Sequence, residues 1–268
     1  MSGGRTVVRL AWALSALTAW AVPAAGQIGI TISPSRVEAA VKPGAAFTET
    51  LSLQNRSPNA LEVRIELVDF DVDEGNKVIE QPPGTGASTL VPYLRVSPLR
   101  AAVGPGQRAF FRVSASLPEG ATQRRAMLFF VSTPQLGERE GTRVLVVPRL
   151  GVPIYLEDNA EKPARPEVLR AELGRVSEGD GIELRLDMRN PGGRNLKVLG
   201  TLRVREAASG FDEVYRLNEG AEPILPGKLR VWTPRFGPVP GGGLSARLQL
   251  TAGVETVHEA EFTLPPRP

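Results

Sequence analysis

Leu61, Val63, Ile65 and Leu67 alternate with Glu62, Arg64 and Glu66, and the same period of two returns at Ile182, Leu184, Leu186 and Met188 against Glu183, Arg185 and Asp187. Apolar residues at every second position share one face of a pleated strand, so each segment reads as a half-buried strand. Further strand-like runs are Phe47 to Leu53, Tyr93 to Val96, Ala109 to Val113, Ala126 to Val131 and Val144 to Leu156. Between them stand Lys42-Pro-Gly44, Asn55-Arg-Ser-Pro58, Asp73-Glu-Gly-Asn76 and Gly104-Pro-Gly106, all with turn chemistry. No stretch sustains a helical period. Short strands at this spacing predict an all-β chain of antiparallel sandwiches.

The segment Asp158-Asn-Ala-Glu-Lys-Pro-Ala-Arg-Pro166 interrupts the pattern with proline and charge, as a domain boundary does. Later runs are Leu196 to Val204, Leu229 to Thr233, Leu244 to Leu250 and Val257 to Leu264. The expected organisation is one sandwich over residues 27–160 and a second over 161–268. The halves also rhyme. Leu51-x-Leu53-x-Asn55 is echoed by Leu186-x-Met188-x-Asn190, and Gly104-Pro-Gly106 before Phe110 by Leu225-Pro-Gly227 before Leu229.

The chain opens with Arg5 and Arg9, an apolar run from Leu10 to Val22, and the small residues Ala24, Ala25 and Gly26. That order is the grammar of a cleavable export signal over residues 1–26, and the apolar run is shorter than the ~20 residues a membrane-spanning helix needs. The expectation is a periplasmic chain, starting near Gln27, with no membrane anchor. Losing Arg5 and Arg9 takes the formal charge from +3 to +1, with basic residues scattered among acids. This is a poor footprint for nucleic acid. With no cysteine to brace an exported fold, stability must come from the apolar cores.

The residue inventory argues against catalysis and metal binding. His258 is the sole histidine and there is no Gly-x-Ser-x-Gly elbow. A zinc site of the usual ligand set is not available, and no cofactor is expected. Asp69, Asp71, Asp73 and Glu80 have the spacing of calcium-loop ligands, but Glu74 stands where that loop needs glycine. They read as a solvated, charge-guarded strand edge. Gly84-Thr-Gly86 and Pro240-Gly-Gly-Gly243 read as loops rather than phosphate cradles.

Several fragments fall in an order that resembles the N-terminal domain of the PapD-like periplasmic pilus-assembly chaperones, over most of residues 28–157. They are Ile30-Thr-Ile-Ser-Pro-Ser-Arg-Val37, Lys42-Pro-Gly44 with Leu51-Ser-Leu-Gln-Asn55, and Tyr93-Leu-Arg-Val-Ser-Pro98 with Val103-Gly-Pro-Gly106. Leu117-Pro-Glu-Gly120 with Arg125-Ala-Met-Leu-Phe129 and Pro134 completes the series. The resemblance implies two immunoglobulin-like antiparallel β-sandwich domains in tandem, the second a generic immunoglobulin- or fibronectin-like module. It implies a chaperone that lends an edge strand to a pilus-like or other β-rich exported subunit, with an outer-membrane usher as a further partner. By position, Val144, Leu145, Val146 and Val147 would pair with the client strand. Arg36 and Arg149, side by side in the cleft between domains, would hold its terminal carboxylate. Pro148 and Pro153 depart from the pattern, since each deletes a ladder donor. Arginine also stands where the family usually has one lysine. The alternative is a non-catalytic structural or adhesive surface protein built from the same modules.

Overall fold

A computed structural model describes residues 29–139 and 142–267; the export signal read over residues 1–26 lies outside them. The described chain is a series of strands with one short 3₁₀ turn, and it contains no helix long and apolar enough to cross a membrane. In chain order the first half holds β1 (Ile30–Ser33), β2 (Val37–Val41), β3 (Ala46–Asn55), β4 (Leu61–Val72), β5 (Val78–Gln81), β6 (Leu94–Ser97) and β7 (Arg100–Val103). It continues with β8 (Arg108–Ser116), β9 (Gln123–Ser132), β10 (Gln135–Arg139), β11 (Thr142–Val146) and β12 (Arg149–Asp158). The second half holds β13 (Glu167–Arg175), β14 (Ile182–Arg189), β15 (Leu199–Glu206), β16 (Phe211–Leu217), β17 (Leu229–Trp232), β18 (Arg235–Phe236), β19 (Leu244–Ala252) and β20 (Glu255–Leu264).

In the first half, the sheet β1-β3-β8-β6 faces the sheet β2-β12-β9-β4-β5, with β7 beside β4. The alternation places Leu51 and Leu53 of β3 and Phe111 and Val113 of β8 against Leu61 and Val63 of β4, Leu128 and Phe130 of β9, and Val152, Ile154 and Leu156 of β12. Phe111 and Phe130 meet edge to face, with ring centroids 5.0 Å apart. The opening strand changes sheets at Pro34: β1 runs antiparallel to β3, whereas β2 runs parallel to β12. In the second half, β13-β14-β17 with β18 faces β16-β15-β19-β20 across a separate core of Ile182, Leu184, Leu186, Met188, Leu202, Leu248 and their neighbours. Both halves are immunoglobulin-like sandwiches.

The sequence rhyme has a physical basis. Asn55 and Asn190 are both fully buried at the ends of β3 and β14. Asn55 Nδ2 donates to the carbonyls of Asn59 and Val103, while its Oδ1 accepts from Ser57 N. Asn190 repeats the arrangement with the carbonyls of Arg194 and Ile224 and with Gly192 N. The backbone agrees, since Gly106 N donates to Asn55 O and Gly227 N to Asn190 O, both glycines at φ 71°. A positive φ at these turns is what reserves both positions for glycine.

The structure corrects two strand readings. The run from Val144 to Leu156 is not one strand, because it breaks at Val147-Pro148 into β11 and β12. Pro153, in contrast, does not interrupt: β12 pairs with β9 through Pro153 opposite Met127. Pro148 O accepts from Ser132 N, so by alternation the even-numbered residues of β12 point their backbone groups at β9 and the odd-numbered ones away. The donor that Pro153 lacks is therefore one that β9 never needed.

Candidate functional site

The open edge of β12 is the candidate site. β9 covers one side of β12 along Arg149–Glu157, but β2 covers the other side only from Ile154 onward. Between Arg149 and Pro153 that side has no partner strand among the described residues. Arg149 and Gly151 thus present both N–H and C=O outward, while Pro153 has no N–H and its C=O accepts from Val37 N, as the Ile154–Val37 parallel pairing requires. Upstream, β11 pairs through Val144, Leu145 and Val146 with Gly137, Leu136 and Gln135 of β10. Val144, Leu145 and Val146 of the expected pairing segment are therefore already paired along one side, while Val147 lies beyond the ladder and leads into β12. Leu145 is 67 % exposed and Val147 51 %, large apolar side chains held in water. Beside Val147 lies a cavity of about 490 Å³ walled by Val63, Ala101, Ala102, Val131 and Pro134.

Gly151 and Phe129 shape the outward face of this edge. Odd-numbered side chains of β12 share that face with Met127 and Phe129 of β9. A Cβ on Gly151 would sit 2.8 Å from Phe129 Cε1 and 3.0 Å from Met127 Sδ, so the glycine leaves room for both to lie across the strand. The Arg149 guanidinium rests 3.3 Å from the Phe129 ring centroid. It is fixed there by Glu80 at 2.6 and 2.9 Å and by Glu66 at 3.2 Å, and Arg64 also pairs with Glu66. The bonds from Glu80, and then those from Glu66, raise the Arg149 pKa against the cost of burial. Burial would raise the Glu66 carboxyl, but the bonds and charges of Arg64 and Arg149 outweigh it and lower its pKa.

Arg36 stands at the other end of the open stretch. Val37 lies opposite Ile154 in the parallel ladder, so Arg36 is abreast of Pro153. Four residues of strand, about 13 Å, separate that level from Arg149. The two arginines therefore flank the open edge instead of adjoining, contrary to the sequence expectation, because β2 meets β12 in a register the sequence does not display. Arg36 Nη2 donates to Gly220 O of the second domain at 2.9 Å, and its Nε is 3.1 Å from Glu38 Oε1. Behind it Tyr155 is buried, which pushes its hydroxyl pKa up to about 12 in spite of the opposing charges of Arg125 and Arg36.

The domains meet on the outer face of the β9 and β12 sheet. Leu225 packs among Phe70, Met127, Phe129, Val131 and Tyr155. Asp71 accepts from Arg125 at 3.1 Å and from Lys228 of the second domain at 2.6 Å. Burial opposes ionisation of Asp71, but the Lys228 bond, the Val72 amide and Arg125 together lower its pKa. Arg194 pairs with Glu157 at 2.9 Å, Lys197 with Glu38, and Val231 N donates to Glu74 O at 2.8 Å. The acids read as a solvated edge are thus not one. Asp69 is buried, accepting from Gly86 N and Thr89 Oγ1; Asp71 bridges domains; Asp73 closes a turn on Lys77 N; and Glu80 holds Arg149. They diverge to separate partners and form no shared ligand cage. His258 is half-buried on β20 opposite Leu250, and its Nε2 reaches no partner among the described residues.

Sequence reasoning missed Glu66, Glu80 and Phe129 as the frame of Arg149. It also passed over Gly151, although a glycine inside an apolar strand signals a close approach.

No protein-family model matches the chain, and no curated protein matches it. Among solved structures it is similar to the YadV chaperone, with a TM-score of 0.45 and 12 % identity over 88 % of this chain and 100 % of that one. It is also similar to a chain of the CsuC–CsuE chaperone–tip adhesion subunit pre-assembly complex from the archaic chaperone-usher Csu pili of Acinetobacter baumannii. That likeness has a TM-score of 0.46 and 15 % identity over 87 % of this chain and 97 % of that one. A third is a chain of the complex between the Salmonella enterica SafA pilin and the SafB chaperone, with a TM-score of 0.42 and 13 % identity over 90 % of this chain and 99 % of that one.

Proposed function

We propose that this protein is a non-catalytic periplasmic chaperone that lends the edge from Val144 to Pro153 to a β-rich, pilus-like exported subunit. The observation that carries the reading is the open side of β12, where Arg149 and Gly151 turn their backbone groups outward between two arginines. A client strand laid there gains main-chain hydrogen bonds, and specificity comes from side chains at alternate positions. Leu145 and Val147 supply apolar contact at the head of the edge. At its foot, Arg36 binds a client carboxylate with charge-assisted hydrogen bonds from the donors that Gly220 O and Glu38 leave free. Arg149, tied to Glu66 and Glu80, holds the outward face flat over Phe129 and takes no share of that carboxylate.

The test is co-expression with each exported immunoglobulin-like subunit of the same genome, followed by hydrogen exchange on any complex. The Arg149 and Gly151 amides should gain protection, while Leu150 and Val152, already directed at β9, should change little. Leu145→Glu with Val147→Lys should leave the fold intact and abolish capture. Arg36→Ala should weaken capture by about 1.5 to 3 kcal/mol, the range for a hydrogen bond to a charged group. A client that binds without protecting Arg149 and Gly151 would refute the lent edge.

A further inference from the structure

Arg230 belongs to β17 and lies opposite Met188, and Trp232, two residues on, lies opposite Leu186. Met188, Leu186 and Trp232 are all core residues, so the period of two turns Arg230 inward as well, at the mouth of the second sandwich. It is 8 % exposed. Its guanidinium carbon lies 5.4 Å from the Trp232 ring centroid, and Nη2 donates to Glu222 Oε2 at 2.8 Å. Nε and Nη1 are buried and reach no acceptor among the described residues. Buried donors of a charged group are seldom left without an acceptor, because the lost hydration is costly. Beside them is a cavity of about 320 Å³ whose wall includes Arg230, Trp232, Leu217, Pro234, Arg216 and Glu222. Arg230 is paired with Glu222 and Arg216 with Glu219 at 3.7 Å, so preference for an anion rests on the unpartnered donors of Arg230 and not on net charge. At about 30 Å³ for each water-sized atom it holds on the order of ten heavy atoms.

We propose that this cavity binds an amphipathic monocarboxylate. The carboxylate takes the second proton of Nη2 and draws Nη1, which is shut from solvent, round into the end-on fork for which the planar guanidinium is suited. The apolar body lies against Trp232, Leu217 and Pro234. Glu222 competes for the same guanidinium. The ligand is a free acid or the carboxyl end of a polypeptide, and both present the same chemistry to Arg230. The site's wall also touches the first sandwich, since Gly220 O accepts from Arg36 at 2.9 Å and Glu222 Oε2 from Asn76 Nδ2 at 3.0 Å, but its ligand contacts are with Arg230 and Trp232 and not with the β12 edge.

Trp12, Trp20 and Trp232 are the tryptophans of the chain, so with Trp12→Phe and Trp20→Phe the indole in the cavity wall reports alone. Trp232 emission is followed during titration with 3-phenylpropionate, with 3-phenylpropanamide, and with a tripeptide ending in phenylalanine as free acid and as amide. A saturable change is expected with the acids, about tenfold or more weaker with the amides and in Arg230→Met, as befits loss of a charged hydrogen bond. The tighter of the two acids identifies the source. Glu222→Gln, which removes the competing carboxylate from a half-exposed position, should tighten binding a few-fold and decides the matter if Arg230→Met does not fold. No saturable change with either acid, equal affinity for acid and amide, or unchanged affinity in Glu222→Gln would show that Arg230 is merely hydrated, and would overturn the proposal.

Discussion

Replacing Asn190 by alanine should destabilise the second sandwich through two orphaned backbone groups. Asn190 Nδ2 reaches Arg194 O at 2.7 Å and Ile224 O at 2.8 Å, and Oδ1 takes Gly192 N at 2.9 Å. Ile224 O keeps Leu196 N at 3.0 Å when the amide is gone, so it is not orphaned. Arg194 O and Gly192 N do lose their partner. At about 1 to 3 kcal/mol for each unsatisfied buried group, taken toward the low end for partial access to water, the loss is about 3 kcal/mol. For a domain of this size that lowers the melting temperature by about 15 °C. Asn190→Asp sharpens the test, because it keeps the acceptor for Gly192 N but aims a carboxylate oxygen at two carbonyls. It should be no more stable than Asn190→Ala. Asn55→Ala should cost the first sandwich less, because it orphans Ser57 N, held now at 2.9 Å, while Val103 O keeps Leu61 N in the β4–β7 ladder and Asn59 O keeps Ser57 Oγ. The assay is urea unfolding combined with hydrogen exchange, and each variant should lose protection chiefly in its own sandwich. A loss below about 1 kcal/mol, or an Asn190→Asp variant as stable as the parent, would refute the argument that these asparagines replace missing backbone partners.

Gly151→Val should cost about 1 to 3 kcal/mol by overpacking against Phe129, and should release Arg149 from its ring. Thermal melting with and without Phe129→Ala checks this: the cost should shrink when the ring is removed. Asp71 gives a pH dependence. Its carboxyl titrates below the unfolded value of about 3.9, so its bridge to Arg125 and Lys228 contributes fully above about pH 5 and is lost as the pH falls through the folded value. The stability gap between the parent and Asp71→Asn should therefore begin to narrow below about pH 5 and go on closing as the pH falls through the lowered folded value in urea melts; a gap that widens with acid would contradict the assignment.

The sequence displayed what local chemistry decides. The alternation at residues 61–67 and 182–188 marks the inner faces of β4 and β14, and the two asparagine turns were legible because each network closes with the turn beside it. Register was not legible. Arg36 and Arg149 were expected side by side, yet their separation depends on which residue of β2 meets Ile154. The acids of β4 misled for a related reason. Lys228 reaches Asp71 from 157 positions away, so nothing near Asp71 in the chain announces a bridge between domains. The frame of Arg149 likewise draws Glu66 and Glu80 from two strands that only the folded sheet brings level.

The distribution of guarded and unguarded edges favours a role for the β12 opening. At the margins of the second sandwich, β13 is disrupted by a bulge at Leu169, β16 carries Asp212, Glu213 and Arg216, and β20 carries Glu255, Glu259 and Glu261. Such features discourage stray pairing. Arg149-Leu-Gly-Val-Pro153 contains no acid and no bulge, and its one charge is neutralised by Glu66 and Glu80. An edge left this permissive invites aggregation unless an incoming strand is meant to occupy it. Pro153 then acquires a purpose. Its missing outward N–H falls where β2 takes over the edge, so an added strand can extend its ladder through Gly151 but finds no donor beyond. In the function proposed above, the proline would be a register stop that sets where an added strand ends, at the level of Arg36.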